Sequence, residues 1–318
     1  MNSRQVGTLA AFAMLTALVS PAFSQTVVAT IPVGVFPFMV TANSHTNRVY
    51  VTNQGDNTVS VIDGSLNQVI ATVNFMGGFV PYGVAVNPST NRIYVAGGDW
   101  LYVVNGRTNT VIRRVEVGPG ADRVAVNPAT NRIYVTNELG GTVSAVDGAT
   151  NKVVATIAVN GGPVGITVDR TTNLVYVPLF FCTACGTVII NGSTNQVIAT
   201  LNLGAGQMDD VAVDPFHNRI YVIDETAGLF AVDSNTNTVV GNVTGLNGPE
   251  TVAVLPSTGL IVEADFGSGN AIFIDAYSLT ISQTVPVGRY PCGTAVNWMT
   301  RRVYMANKGS GNVSVIAY

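Results

Sequence analysis

Histidine and cysteine are scarce in this 318-residue chain, which contains two His and three Cys. So few histidines leave little room for a His-based catalytic site or metal site. Charge is scarce as well: 10% of the residues are charged, against roughly 25% in an average soluble protein, and the formal net charge is −3. This balance excludes a polycation that holds nucleic acid through bulk electrostatics.

Leucine is sparse relative to valine, with 15 Leu and 52 Val. Helical proteins rely on Leu and Ala, whereas β-branched Val suits packed strands. Gly and Pro, with 33 and 14 residues, are too few for a disordered chain. The composition therefore predicts an all-β protein and excludes disorder, a coiled coil and a helical bundle.

The first 24 residues have the pattern of a secretory signal peptide. Arg4 supplies a positive charge, residues 6–19 are uncharged and mostly apolar, and Ala22 and Ser24 place small residues at −3 and −1 of a cleavage site. The apolar stretch is shorter than the roughly 18–20 residues of a membrane anchor. We expect cleavage after Ser24, no membrane span, and a mature protein that is periplasmic or secreted.

A motif of the form Asn-Arg-(Val/Ile)-Tyr-Val recurs along the rest of the chain at spacings of 40 to 45 residues. Its fourth residue stands at Tyr50, Tyr94, Tyr134, Tyr176, Tyr221, Val262 and Tyr304. Each repeat contains four short apolar segments bounded by Gly, Pro, Asn or Asp, which is the pattern of one β-propeller blade. Residues 25–318 are therefore predicted to form a single seven-bladed β-propeller of four-stranded blades.

The two ends of the chain predict how the ring closes. The segment 26–34 resembles the fourth strand of a repeat, as at 152–160, whereas the last repeat ends after its third strand, 313–318. The N-terminal strand is therefore expected to complete the last blade, which hides an edge that an open array would expose.

The repeats resemble those of the YVTN family of β-propellers. Tyr50–Asn53 and Tyr134–Asn137 spell the signature, and Val59–Gly64 is similar to the same family. Repeat six departs most, with Val262–Asp265 in the signature position. The family includes surface-layer proteins and periplasmic single propellers, some linked to protein or single-stranded DNA binding. The resemblance implies an architecture and leaves the activity open.

The turns after strands one and three of each repeat are stereotyped, and we call their side the turn face. The opposite side, the variable face, carries the blade-to-blade connections and the turns after strand two. Ten acids are predicted there against three bases, Arg123, Arg289 and Lys308. The acids are Asp56, Asp99, Asp122, Glu138, Asp209, Asp210, Asp224, Glu225, Glu250 and Asp265. This face is either an acidic mouth for cations and basic ligands or an ordinary set of acidic loops.

Residues at the start of the innermost strands are predicted to form the rim of the central channel. The candidate ligand-binding residues are Phe38, Met39, Tyr82, Asp122, Arg123, Asp209, Asp210, Glu250, Arg289 and Tyr290. Arg123 and Asp210 either hold a polar or zwitterionic ligand or bridge each other or water. Asp209, Asp210 and Glu250, from neighbouring repeats, are the candidate ligands of a divalent cation such as Ca²⁺.

Cys182 and Cys185 form a Cys-x-x-Cys pair in the longest turn after strand two. Gly186 follows where covalent haem requires His, and a second ligand pair for zinc is missing, so a local disulfide fits an exported protein best. Phe180 and Phe181 are expected to offer an apolar contact site or to fold under the turn. Cys292 is then either a small buried side chain or a reactive thiol.

Three further polar residues were assigned by position. His45 and His217 fall in first turns and are expected to be solvated. Glu263 stands where the other repeats place an apolar residue, so a buried carboxylate there needs a partner or a displaced strand.

Taken together, these patterns predict a secreted, monomeric propeller without catalytic activity. It would bind a protein or small-molecule ligand through the variable face and channel rim. One alternative is a hydrolase that resembles propeller lactonases and uses a divalent cation at the mouth. The other is a periplasmic single-stranded DNA-binding propeller, which the acidic mouth disfavours.

Overall fold

The computed structural model describes residues 24–75, 77–180, 182, 186–204, 206–256 and 258–318. The predicted signal peptide lies outside this range except for Ser24. Within it, 29 β-strands form seven antiparallel sheets, which are the blades of a propeller, and these residues contain no helix. The predicted all-β, seven-bladed architecture is confirmed, and no helix of the described chain is suited to crossing a membrane.

The strands follow the blades in chain order, from the channel outward. Blade 1 contains β2 (Pro37–Asn43), β3 (Arg48–Asn53), β4 (Thr58–Asp63) and β5 (Gln68–Asn74). Blade 2 contains β6 (Val84–Asn87), β7 (Arg92–Gly97), β8 (Trp100–Asn105) and β9 (Thr110–Glu116). Blade 3 contains β10 (Ala121–Asn127), β11 (Arg132–Asn137), β12 (Thr142–Asp147) and β13 (Lys152–Ala158). Blade 4 contains β14 (Gly162–Pro163), β15 (Thr167–Asp169), β16 (Leu174–Phe180), β17 (Gly186–Asn191) and β18 (Gln196–Asn202).

The remaining three blades complete the ring. Blade 5 contains β19 (Met208–Asp214), β20 (Arg219–Asp224), β21 (Gly228–Asp233) and β22 (Thr238–Val243). Blade 6 contains β23 (Pro249–Leu255), β24 (Leu260–Asp265), β25 (Asn270–Asp275) and β26 (Ile281–Pro286). Blade 7 contains β27 (Pro291–Asn297), β28 (Arg302–Asn307), β29 (Asn312–Ala317) and, outermost, β1 (Thr26–Pro32).

The N-terminal strand closes the last blade, as the sequence predicted. β1 pairs antiparallel with β29 from Thr26 opposite Ala317 to Pro32 opposite Asn312. The first and last repeats are thereby joined by backbone hydrogen bonds, so that opening the ring requires breaking this strand pair.

The innermost strands of two blades are shorter than the repeat pattern predicts. Blade 2 begins its ladder at Val84, and blade 4 divides the strand into β14 and β15. In both blades a glycine at the channel packs against the backbone of the next blade: a Cβ on Gly83 would lie 2.4 Å from the Asp122 carbonyl oxygen, and one on Gly165 2.5 Å from that of Asp209. Blade 7 makes the same contact between Gly293 and the Phe38 carbonyl oxygen although its strand β27 is continuous. The glycine contact with the next blade is therefore shared by blades with and without a shortened strand.

The repeated motif has a structural explanation in each of its side chains. Tyr50 is fully buried between blades. Thr52 accepts a hydrogen bond from the Met39 amide and donates one to the Tyr82 carbonyl of the next blade. Asn53 and Asn137 each donate to two hydroxyls of the following strand, and Asn307 donates to the Asn312 amide oxygen and the Ser314 hydroxyl. The motif therefore joins blades and fixes the turn after strand two.

The turn face is built on asparagines in the left-handed region. Asn47, Asn91, Asn131, Asn173 and Asn218, each just before strand two, have φ between 50° and 57°. Four Asn–Asn hydrogen bonds connect neighbouring blades at this level, with the amide of Asn43, Asn87, Asn127 or Asn297 donating to the next blade. Asn tolerates this backbone region because its short amide hydrogen-bonds locally.

The hydrophobic core lies between blades rather than in one central mass. Seven clusters of buried Val, Ile, Ala and Tyr each join side chains of adjacent blades. The outermost strands, in contrast, expose pairs of apolar residues such as Val27 and Val28 or Val69 and Ile70. The free edges therefore lie on the circumference, and the two ends of the channel carry the loops.

Candidate functional site

The predicted rim residues meet at the variable-face end of the central channel. Met39, Gly83, Arg123, Asp210 and Thr251, the starts of five innermost strands, line one cavity of about 810 Å³. First-turn residues such as Pro88, Ser89, Pro128, Phe216 and Trp298 line the same cavity, so it extends toward the turn face. The candidate site thus has two parts, a cavity on one side of the ring and the variable face on the other.

Arg123 is the central side chain of the ring. Its Nη1 donates to Asp122 Oδ1 at 2.9 Å, and its guanidinium lies 4.7 Å from the ring centre of Phe38 on blade 1. The residue is 7% exposed, and Nε has no hydrogen-bond partner among the described residues. Arg123 therefore extends from blade 3 toward blade 1 and pairs with Asp122, whereas a bridge to Asp210 was one of the alternatives that the sequence left open.

Aromatic rings surround the cation at the same level. Phe38 and Tyr82 meet edge to face at 5.9 Å, and Lys308 Nζ lies 5.1 Å from the Phe38 ring centre. Two cations thus lie at Phe38, an arrangement that the negative face of an aromatic ring favours.

Four of the predicted acids contribute to the negative field around Arg123, namely Asp122, Asp209, Asp210 and Glu250. Asp210 Oδ2 accepts a hydrogen bond from the Val252 amide at 3.0 Å, which ties blade 5 to blade 6. Asp209 is 8% exposed and lies next to Asp210 at the start of the same strand. Burial raises the pKa of Asp209 well above its usual range, and neighbouring Glu250, Asp210 and Glu225 add to the rise against the opposing effect of Arg123.

Burial is also the largest single effect on the pKa values of Asp210, Glu250 and Arg123. It raises the pKa of Asp210 to about 6 and also raises that of Glu250. For Arg123, burial opposes the charged form, but Asp122, Asp209, Asp210 and Glu250 outweigh it, so its pKa is raised. One buried cation therefore balances only part of the surrounding negative charge.

Glu138 and Glu225 lie near the same carboxylates. The sequence placed both on the variable face but did not single them out as site residues. Burial raises the pKa of Glu138, assisted by Asp122, and burial raises that of Glu225, assisted by Asp224. We use the name acidic sector for Asp122, Glu138, Asp209, Asp210, Glu225 and Glu250.

The predicted cation ligands are close enough to interact electrostatically, but they do not form a compact donor set. Within the described ranges, no group of three or more His, Cys, Asp or Glu side chains is arranged to hold a metal ion. One oxygen of Asp210 is already engaged by a backbone amide. The Ca²⁺ site at Asp209, Asp210 and Glu250 stays a prediction.

Blades 6, 7 and 1 place aromatic side chains on the variable face. Tyr290 stacks on Phe266 with ring centres 4.7 Å apart, and Arg289 lies 5.5 Å from the Tyr290 ring. Phe36 and Tyr290 occupy the same loop position in blades 1 and 7, with φ of 52° and 55° and exposures of 54% and 42%. Blades 3 and 6 place Gly120 and Gly248 there, both with positive φ. Two large aromatic side chains thus occupy a position whose backbone favours glycine.

The turn with the Cys-x-x-Cys pair is only partly described. Phe180 ends β16 and is half-buried, and Cys182 is disulfide-bonded and packs against the core between blades 3 and 4. Phe181 and Cys185 lie outside the described residues, so the pairing of Cys182 with Cys185 and the contact role of the two Phe side chains stay predictions.

Cys292 is a buried structural residue. It has no exposed surface, and its thiol donates to the Phe38 carbonyl at 3.3 Å. Burial raises the thiol pKa to about 12, which leaves little thiolate near neutral pH.

A hydrogen-bonded chain of side chains on the turn face was missed by the sequence reasoning. His217 Nδ1 lies 2.6 Å from Asp214 Oδ2, and Nε2 is hydrogen-bonded to the hydroxyl of Tyr277 on blade 6. His217 lies in the expected turn and stays partly exposed, and the sequence did not predict that both of its ring nitrogens are hydrogen-bonded. Blades 5 and 6 lack the Asn–Asn bond here, and Asp214 in the usual Asn position was the available signal.

Glu263 is buried without the partner that the sequence argument required. It has no exposed surface, and neither carboxylate oxygen has a hydrogen-bond partner within the described chain. Burial raises its pKa well above its usual range, with a further contribution from Asp265. The strand is not displaced: Glu263 keeps its register between Val252 and Ile272. The backbone amide of Glu250 opposes this rise, but burial is the larger effect and favours the neutral form of the side chain.

Comparison with known proteins supports the fold and no more. No family model and no curated protein sequence matches this chain. The solved structure of a hydrazine synthase from Kuenenia stuttgartiensis is similar over 89% of this chain and 96% of that one, with 16% identity and a TM-score of 0.81. A chain in the crystal structure of a mitotic checkpoint complex is similar over 100% of this chain and 99% of that one, with 14% identity and a TM-score of 0.81.

Proposed function

We propose that this propeller is a binding module whose variable face holds a positively charged segment of a partner protein. The observation that carries the proposal is the position of Asp209, which is 8% exposed and whose carboxyl group lies in the field of Glu250, Asp210 and Glu225. A buried carboxylate of this kind is stabilised by an approaching cation, since the cation offsets both its desolvation and the repulsion of its neighbours.

The layout of the acidic sector suits several cationic side chains better than one small ion. Its six carboxylates come from blades 3, 5 and 6, and within the described chain they form no compact metal cluster. An extended basic segment presents its charges at intervals, so it can place one near each group of acids. Long-range attraction would also speed its approach to the mouth.

The aromatic part of the face offers a second kind of contact to the same partner. Phe38 already faces the cations of Arg123 and Lys308, and exposed Phe36, Tyr82 and Tyr290 are available for Lys, Arg or apolar side chains. Such rings supply contact area at low entropic cost. A basic segment with interspersed apolar residues can therefore contact both the acidic sector and these aromatic side chains.

We also propose, on the repeat motif and the N-terminal pattern, that the chain is an exported, divergent member of the YVTN repeat family. Export would place the variable face where partners outside the cytoplasm are met. The motif itself is occupied with blade-to-blade hydrogen bonds, so it supports the architecture and takes no part in the proposed binding.

The proposal is tested with fluorescein-labelled decalysine, titrated against the protein and followed by fluorescence anisotropy. Replacement of Asp209 by Asn together with Glu250 by Gln is expected to weaken binding about tenfold or more, which is about 1.4 kcal/mol. The matched control replaces Asp147 and Asp233 on the turn face by Asn, the residue that blades 2 and 4 use at Asn105 and Asn191 for the same turn bonds.

The control pair removes the same number of carboxyl groups and is expected to leave the affinity almost unchanged. Equal weakening by the two pairs would show nonspecific attraction to an acidic protein and would overturn the proposal, as would an absence of binding at low salt.

A further inference from the structure

The outermost strand of blade 2 differs from every other outer strand at two adjacent positions. Arg113 pairs with Val103 and Arg114 with Tyr102, next to a bulge in β9. The register-equivalent pairs in the other blades are uncharged: Ala29 and Thr30, Ala71 and Thr72, Ala155 and Thr156, Ala199 and Thr200, Gly241 and Asn242, and Gln283 and Thr284. Blade 2 therefore places two cations where the repeat has small or neutral residues.

The neighbouring strand β8 also departs from the repeat pattern. Trp100 and Tyr102 stand where blade 1 has Thr58 and Ser60. The Arg114 guanidinium lies 4.0 Å from the ring centre of Trp100. Beneath it, Tyr102 packs on Phe79 with ring centres 4.3 Å apart. An aromatic base thus holds the Arg114 guanidinium while the residue stays exposed.

The positive charge along this edge is not balanced by ion pairs. Arg107, in the turn before β9, is exposed, as are Arg113 and Arg114. The ion pairs within the described ranges involve Arg48, Arg123, Arg132 and His217. The three guanidinium groups of the blade 2 edge are therefore available for a ligand, and Glu116 is the one acid on the same strand.

A protective role against edge-to-edge aggregation does not account for the pattern. Charged residues on an edge strand are a common means of preventing unwanted pairing. Six of the seven outer strands, however, expose apolar residues with no charge at the equivalent positions, as Ala71 and Thr72 do beside Ile70. If protection were the reason, those edges would need it as much as β9 does.

We propose that β9 binds an extended acidic segment of a partner protein, which adds to blade 2 as a fifth strand. β9 ends its sheet, so one row of its backbone N–H and C=O groups is free to pair. Six residues of such a segment span about 20 Å, enough to place carboxylates near the arginines on both faces of the blade. Bidentate Arg–carboxylate hydrogen bonds supply the selection for an acidic sequence. This edge lies on the circumference and is independent of the variable face.

The test uses a fluorescein-labelled eight-residue peptide in which pairs of Glu alternate with pairs of Val, so that the extended strand presents carboxylates on both faces. Its affinity is measured by fluorescence anisotropy. Arg113→Ala combined with Arg114→Thr copies blades 1, 3 and 4, so it preserves the fold of the strand. It is expected to weaken binding about tenfold or more. The control, Lys152→Gln combined with Arg301→Asn, removes two positive charges elsewhere and copies residues of other blades; its affinity is expected to stay within about twofold of the unmodified protein.

Two further probes separate strand addition from general attraction to anions. The same peptide with N-methylated backbone amides on one edge is expected to lose binding, and undiminished binding would contradict strand addition. An oligothymidylate of equal charge that binds more tightly than the peptide, and loses affinity in the Arg113–Arg114 variant, would overturn the acidic peptide in favour of a nucleic acid. Equal weakening in variant and control would overturn the site.

Discussion

Residues that depart from the repeat carry most of the information about this molecule, and Glu263 shows why. Five other blades place Val at this position and blade 7 places Met305. A carboxyl group buried among apolar side chains, with neither oxygen hydrogen-bonded in the described chain, costs about 2 kcal/mol relative to a packed apolar group. Glu263 therefore lowers stability at the interface of blades 5 and 6.

Replacing Glu263 by Val is expected to raise the free energy of unfolding by about 2 kcal/mol at neutral pH. Urea denaturation followed by tryptophan fluorescence measures it. The control, Glu263→Gln, keeps a polar group of the same size and is expected to gain little. A lower denaturation midpoint for the Val variant would mean that the carboxylic acid has a stabilising partner.

Phe36 is a second departure, since it holds a left-handed backbone conformation that glycine adopts freely in blades 3 and 6. For a residue with a Cβ, this conformation costs about 1 kcal/mol. Phe36→Gly is therefore expected to raise the melting temperature by a few degrees while weakening the binding of an aromatic-containing basic peptide. Thermal unfolding and anisotropy on the same sample test both effects. A fall in melting temperature would show that Phe36 contributes to packing more than it costs in strain.

Elements were the part of the molecule that the sequence predicted best. Turn residues and alternating apolar positions located the strands, because the same pattern occurs in seven repeats and each copy supports the assignment of the others. The sequence did not predict the break in the innermost strand of blade 4, since Gly293 of blade 7 makes the same contact as Gly165 in a strand that is continuous. Nor did it predict that Arg123 pairs with Asp122, because side-chain direction at the channel depends on all seven blades.

The closing strand β1 makes a prediction at this scale. Deleting residues 25–32 leaves β29 with a free edge and uncovers the apolar side chains that Ile31 and its neighbours contact in the core. We expect the truncated protein to aggregate at concentrations at which the full chain stays in solution. Light scattering during size-exclusion chromatography measures this. A truncated protein that elutes as a monomer with an unchanged melting temperature would contradict closure by β1.

At the scale of the whole molecule, the acidic sector predicts the pH dependence of stability. Burial raises the folded-state pKa of Asp210 to about 6, whereas the unfolded chain has an ordinary value near 4. Between these values the folded state binds more protons, so the stabilising contribution is full below about pH 4 and is lost as the pH rises through about 6. Asp63 and Asp147, whose pKa values are lowered, affect stability only at a pH below about 4.

The free energy of unfolding is therefore expected to fall between about pH 4.5 and about pH 7, with at most about 3 kcal/mol from Asp210. Urea titrations at both pH values measure the change. Asp210→Asn removes this titration and should flatten the slope. An unchanged slope in the variant would show that Asp210 is not the responsible group.

Hydrogen–deuterium exchange with and without decalysine tests the central claim most directly, because it locates the bound segment on the protein. We expect slower exchange at residues 120–124, 208–211 and 249–251, where the acidic sector meets the channel, and unchanged exchange at the first turns 43–47 and 87–91. Protection confined to the first turns, or spread evenly over both faces, would contradict binding at the variable face.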